Sequence, residues 1–180
     1  MGLLGIFGGK KNKEDKPKDK PTDKTMIETA LGRFYYVCTP NCTPPEIGYQ
    51  GDVDWVGSGY EDKMGVYFDC DTPESKEATR CYEKLERILS DKQQTEYNVK
   101  SAVAEHFLSS KPHLIRNDDG VAVTKESIIN DMRLNFISIY RNGDIIYSVD
   151  QAFCFDIRSD DVDVIFKADG GKEFRYNEYD

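Results

Sequence analysis

The residue types able to do chemistry here are five cysteines, two histidines and an excess of carboxylates. Cys38-x-x-x-Cys42 is the spacing nearest to a metal or redox pair. Zinc takes four thiolate or imidazole ligands, and the other candidates, Cys70, Cys81, Cys154, His106 and His113, are scattered along the chain. Cys70, Cys81 and Cys154 stand among apolar neighbours, where a free thiol behaves as a small hydrophobe. A Cys–His nucleophilic pair needs hydrogen-bond contact and an orienting third group. His106 falls on the apolar side of an expected helix, and His113 follows Pro112 in a loop. No serine occupies a Gly-x-Ser-x-Gly elbow. Gly57-Ser58-Gly59 starts like a dinucleotide-binding turn, but Asp62 stands where its third glycine belongs, and there is no P-loop. The sequence therefore assigns no catalytic residue, no metal and no cofactor.

The carboxylates offer more. Asp52 and Asp54 lie two apart, as do Asp69 and Asp71, and Asp160, Asp161 and Asp163 form a cluster. Residues two apart on a strand share a face, so each group has the spacing for a divalent cation or an acid–base pair. None matches a calcium-binding loop, and the plainer reading is charge on solvent-facing strands, where it discourages edge-to-edge association. Asp52, Asp54 and Trp55 make the candidate partner-binding patch, because a lone Trp beside carboxylates in a glycine-rich stretch suits a binding surface. Core packing is the alternative for Trp55.

Charge divides the chain in two. Residues 1–24 carry seven lysines against four acids, a net of +3, and the remaining seventeen bases and twenty-nine acids net −12. A body so acidic repels nucleic acid, whose binding depends on neutralising phosphates, and it suits a basic protein partner. Lys10 to Lys24 has no apolar side chain besides its prolines, and so reads as a disordered linker. Ahead of it, Leu3, Leu4, Ile6 and Phe7 form an apolar tip suited to a membrane surface or a docking partner. Ile6 breaks the myristoylation pattern, and the start reads as no signal peptide. The odd cysteine number, with no stretch of about 20 apolar residues, points to reduced thiols in a cytoplasm.

Residues 25–180 read as a single domain. Leu31–Cys38, Tyr49–Val56 and Met64–Cys70 alternate in the manner of strands separated by Pro- and Gly-bearing turns, which suggests an antiparallel meander. The period then changes. Ala78, Cys81, Tyr82, Leu85, Ile88 and Leu89 recur at helical spacing behind Thr72-Pro73, which predicts a helix capped by Thr72. Val99, Ala102, Val103, His106 and Phe107 mark a second helix ending before Pro112, and Thr124 caps a short third one. Phe136–Tyr140 and Ile145–Val149 flank Asn142-Gly143, a strong hairpin signal. Phe153–Ile157, Val162–Phe166 and Lys172–Tyr176 follow as strands. The fold class is α+β: a mostly antiparallel sheet from N- and C-terminal strands, with two to three helices inserted in the middle.

With those strands placed, Gly51-Asp52-Val53-Asp54-Trp55 and Val66-Tyr67-Phe68-Asp69-Cys70-Asp71 ahead of a helical pair form one set of motifs. Leu134 to Gly143, followed by Phe153-Cys154-Phe155-Asp156-Ile157, forms another. Together, over about residues 49–170, they resemble the bacterial family named domain of unknown function 2262. Phe155-Asp156 stands where that family carries a Gly-His pair before the isoleucine matching Ile157. The resemblance implies a bacterial, soluble α+β domain with no established activity.

Three functions remain open. The first is a non-enzymatic protein-binding module, of the size and charge of toxin-neutralising immunity proteins by analogy. The second is a small hydrolase or metal-dependent enzyme using Asp52 and Asp54 or the Asp160, Asp161 and Asp163 group. The third is an accessory protein recruited to membranes through Leu3 to Phe7.

Overall fold

A computed structural model describes residues 26–39, 46–55, 62–116, 122–150, 152 and 154–179. Eight strands form one sheet in chain order: β1 (Met26–Thr29), β2 (Gly32–Thr39), β3 (Glu46–Asp54), β4 (Lys63–Phe68), β5 (Arg133–Ile139), β6 (Ile145–Asp150), β7 (Asp161–Phe166) and β8 (Lys172–Arg175). Every neighbouring pair is antiparallel except β4 and β5. A parallel pair needs a long crossover, and here it contains all three α-helices: α1 (Lys76–Ser90), α2 (Lys92–Ser110) and α3 (Lys125–Asp131). The fold is thus α+β, with the helices between the two halves of a mostly antiparallel sheet.

The helices pack on one face only. Ala78, Cys81, Leu85 and Ile88 recur every three or four residues along α1 and are buried, as are Val99, Ala102, Val103 and Phe107 of α2. They meet Phe34, Val66, Phe68, Ile137, Ile139, Val149, Val162 and Val164, the alternate residues of the strands. That alternation leaves a second sheet face that no helix covers among the described residues.

Local chemistry places the element ends. Thr124 accepts the Ser127 backbone N–H at 3.1 Å while the Ser127 hydroxyl accepts the Thr124 N–H at 3.0 Å, so the cap of α3 is where the sequence puts it. Helix α1 starts three residues later than expected: Ser75, not Thr72, accepts the Ala78 N–H at 3.0 Å, and Thr72 to Ser75 form a preceding turn. Gly143 closes the β5–β6 hairpin at φ +99, a left-handed position that favours glycine. Of the strand expected over Phe153–Ile157, the described residues 154–157 form no ladder. Both edges of β6 are already taken by β5 and β7, so Phe155 makes only one bridge, to Ile115, and turns its ring onto Phe107 at 3.9 Å between centroids.

Candidate functional site

On the uncovered face, cross-strand register sets side chains in rows. Asp52 faces Gly65, Gly65 faces Phe136, Phe136 faces Ser148, Ser148 faces Asp163, and Asp163 faces Arg175. One row along, Asp150 stands opposite both Arg133 and Asp161. Between these rows lies a concavity of about 540 Å³ lined by Asp52, Lys63, Gly65, Asn135, Phe136, Ser148 and Asp161. That volume falls in the range of ligand sites.

Two backbone features shape it. Gly65 is required by space: a Cβ there would lie 2.4 Å from the Phe136 ring, which rests across the glycine. The aromatic ring thereby becomes a floor. The second is a bulge in β5, where Leu134 pairs with Val149 and Phe136 with Ser148, leaving Asn135 between them without a partner strand residue. An extra residue bends a strand and re-aims a side chain. Leu134, Ile137 and Ile139 all stay buried, while Asn135 joins the open face.

Asn135 organises the carboxylates. Its Nδ2 donates to Asp150 Oδ1 at 2.5 Å and to Asp161 Oδ1 at 3.1 Å, and its own Oδ1 is buried with no hydrogen-bond partner. The Ser148 hydroxyl donates to Asp163 Oδ1 at 2.5 Å. Burial, reinforced by the Asp150 carboxylate and opposed by Asn135, holds the Asp161 carboxyl above its ordinary range. Among the described residues none of Asp52, Asp150, Asp161 and Asp163 forms an ion pair, whereas the neighbouring acids do: Asp54 with Lys63, Glu28 with Arg33, and Glu173 with Arg175 and Lys167.

The structure divides the patch expected at Asp52, Asp54 and Trp55. Asp52 and Asp54 are exposed on one face, as period two requires. Trp55 is 1% exposed, packed in the core with its Nε1–H donating to Glu96 at 2.8 Å, so it offers no contact surface. Asp161 and Asp163 share the open face, while Asp160, just outside β7, is exposed and lines no part of the concavity. Asp69 and Asp71 are held by Arg141, whose Nε donates to Asp69 and whose two Nη atoms donate to Asp71 at 3.2 and 2.9 Å. Leu3, Leu4, Ile6, Phe7 and the lysine-rich segment lie outside the described residues, as does Cys42.

None of the described cysteines and neither histidine lines the concavity. Burial pushes Cys70 up to about 12 and Cys81 up to about 11, so both remain protonated core residues. Cys38 is free and exposed. His106 stacks on Phe174 at 4.2 Å with its Nε2 3.0 Å from the Tyr176 hydroxyl, and burial lowers its pKa. Ser148 therefore has a carboxylate beside it but no imidazole to activate it. No group of three or more Asp, Glu, His or Cys among the described residues is arranged to hold a metal. No helix among them is long and apolar enough to cross a membrane.

Of the residues at this site, Asp52, Asp161 and Asp163 are legible in the sequence, whereas Lys63, Gly65, Asn135, Phe136, Ser148 and Asp150 are not. A signal for one existed. The apolar residues of β5 are Leu134, Phe136, Ile137 and Ile139, so the period of two slips by one residue between Phe136 and Ile137, which is the mark of an inserted residue. Comparisons of the chain with protein-family models, with curated proteins and with solved structures found no match.

Proposed function

We propose that this protein is a binding module whose open sheet face receives a basic segment of a protein partner. One observation carries the reading: Asp52, Asp150, Asp161 and Asp163 line or border a single aromatic-floored concavity without an ion-pair partner among the described residues, while Asp54, Glu28 and Glu173 nearby are paired and Lys63, which also lines the concavity, is held by Asp54. From β3 to β7 is four strand spacings, about 19 Å. Carboxylates spread so widely suit several cations along an extended segment. The Phe136 ring adds an apolar and cation-attracting surface between them.

Measured along the sheet, Asp52 and Asp161 stand on strands four spacings apart, whereas the carboxyl pair that acts on one glycosidic bond stands about 5–9.5 Å apart. The aspartate-hydrolase reading keeps one favourable observation, the facing Asp150 and Asp161 with Asp161 biased toward its protonated form. It requires turnover of ester, phosphoester or glycoside substrates that Asp161→Asn abolishes. The resemblance to domain of unknown function 2262 implies no activity that would choose between the two.

The test is affinity capture from native lysate by the full chain and by an Asp52→Asn/Asp161→Asn/Asp163→Asn variant, at graded salt. The binding reading expects a basic protein retained by the wild type at low salt, released at high salt and not retained by the variant. Equal retention by both proteins would remove the open face as the contact.

A further inference from the structure

Phe136 differs from every other described phenylalanine in its company. Phe34, Phe68, Phe107, Phe155, Phe166 and Phe174 each touch another aromatic ring, and Phe136 touches none among the described residues. It is half-buried and lines the concavity. No cation among the described residues lies over its ring either: the lysine–ring contacts are at Trp55 and Phe166.

Space fixes where the ring lies. A Cβ on Gly65 would meet Phe136 Cδ2 at 2.4 Å and Cε2 at 2.6 Å, so the ring takes the room that a side chain at position 65 would fill. It thus leans from β5 over β4. Asp52, directly opposite Gly65 on β3, stands one strand spacing beyond, about 4.8 Å. An unstacked ring therefore borders a carboxylate that forms no ion pair among the described residues.

The bases of this face leave that carboxylate uncompensated. Arg33, next to Asp52 on β2, is held by Glu28 at 2.9 Å. Lys63 is held by Asp54, and Arg175, opposite Asp163, by Glu173 at 2.8 Å. Arg133 stands opposite Asp150, three residues along β5 from Phe136. That single guanidinium among Asp52, Asp150, Asp161 and Asp163 leaves three negative charges.

Ring and carboxylate side by side suit a planar cation. A guanidinium is weakly hydrated, stacks on aromatic faces and presents its donors in a rigid fork, whereas an ammonium is a strongly hydrated point charge. We propose that the concavity reads arginine: one arginine of the partner's basic segment lays its guanidinium on the Phe136 ring and donates sideways to the Asp52 carboxylate. The inference rests on the binding reading above and adds its side-chain preference.

The test titrates fluorescent decaarginine and decalysine into the full chain at low salt and follows anisotropy. The wild type should bind decaarginine about two- to fivefold more tightly, the increment of an exposed cation–ring contact. Phe136→Leu, which keeps an apolar side chain but no ring, should bring the two affinities together, and Asp52→Asn should weaken decaarginine more than decalysine. A readout that needs no variant is the set of nuclear Overhauser contacts between arginine side-chain protons and the Phe136 ring in the wild-type complex. Equal wild-type affinities for the two peptides overturn the arginine preference and leave the acidic face as a binding surface. A preference that survives Phe136→Leu, or a bound decaarginine without contacts to the Phe136 ring, overturns it as well. If neither peptide binds, both readings fall.

Discussion

Replacing Asp161 with Asn should stabilise the protein at neutral pH. Asp161 stands directly opposite Asp150 in the β6–β7 register, and both accept from the one Asn135 amide nitrogen. Like charges facing each other across strands cost about 0.2–1 kcal/mol. The Asp161→Asn side chain keeps an oxygen for Asn135 and removes one charge, so the gain should lie in that range. For a chain of this length it raises Tm by about 1–4 °C. The sign follows from the raised carboxyl. The native state holds the Asp161 proton more tightly than the unfolded chain does, so stability falls as pH rises from the ordinary value of 3.8 through the native one. The advantage of the Asp161→Asn variant is therefore fully present above that window and disappears below it. Thermal melts by circular dichroism at pH 7, 5.5 and 4 measure the gap between the two proteins. Asp52→Asn, at an exposed site outside any ion pair, is the control and should stay within about 0.5 kcal/mol of wild type. A lower Tm for Asp161→Asn at pH 7, or a gap that does not shrink toward pH 4, would refute the idea that this face stores carboxylate repulsion. A site that is less stable than its simplest substitute is what a binding face needs when its charges await a partner.

Trp55→Phe removes the indole N–H from Glu96 but leaves Glu96 with Lys100, 2.5 Å away. A hydrogen bond to a charged group contributes about 1.5–3 kcal/mol, and urea unfolding followed by circular dichroism should show a loss of that size. Gly51→Ala would put a Cβ 2.2 Å from the Arg33 carbonyl oxygen, forcing β2 and β3 apart; the expected cost is about 1–3 kcal/mol, read as a lower urea midpoint. Burial holds the His106 pKa below its ordinary 6.5, so the native state binds its proton less readily than the unfolded chain. Stability should fall as pH drops through about 6.5 toward the native value, and His106→Gln should flatten that fall between pH 7 and 5.5.

Features set by local chemistry could be read from the sequence. Thr124 caps α3, Asn142-Gly143 turns β5 into β6, and period two puts Asp52 with Asp54 and Asp161 with Asp163. What brings Asp52 to Asp161 is not local. It depends on β4 pairing in parallel with β5 across the whole helical crossover, and no residue spacing in the chain encodes that adjacency. Phe136 becomes the floor of the concavity only because Gly65 lies beneath its ring on that neighbouring strand. Trp55 illustrates the opposite limit. Its flanking carboxylates are consistent with either a surface or a core position, and the deciding residue, Glu96, is forty-one positions away on α2. The stretch ending at Ile157 has strand composition, but both edges of the preceding strand β6 are taken by β5 and β7, and Phe155 and Ile157 close the core instead.

The most direct test of the acidic face as a binding surface is titration of a lysine-rich peptide into the isotope-labelled full chain, followed by amide chemical shifts. Saturable, salt-sensitive shifts confined to Asp52, Gly65, Phe136, Ser148, Asp161 and Asp163 and their cross-strand neighbours are expected. Shifts centred on the acids of α1 and α2, or none at low salt, would contradict it.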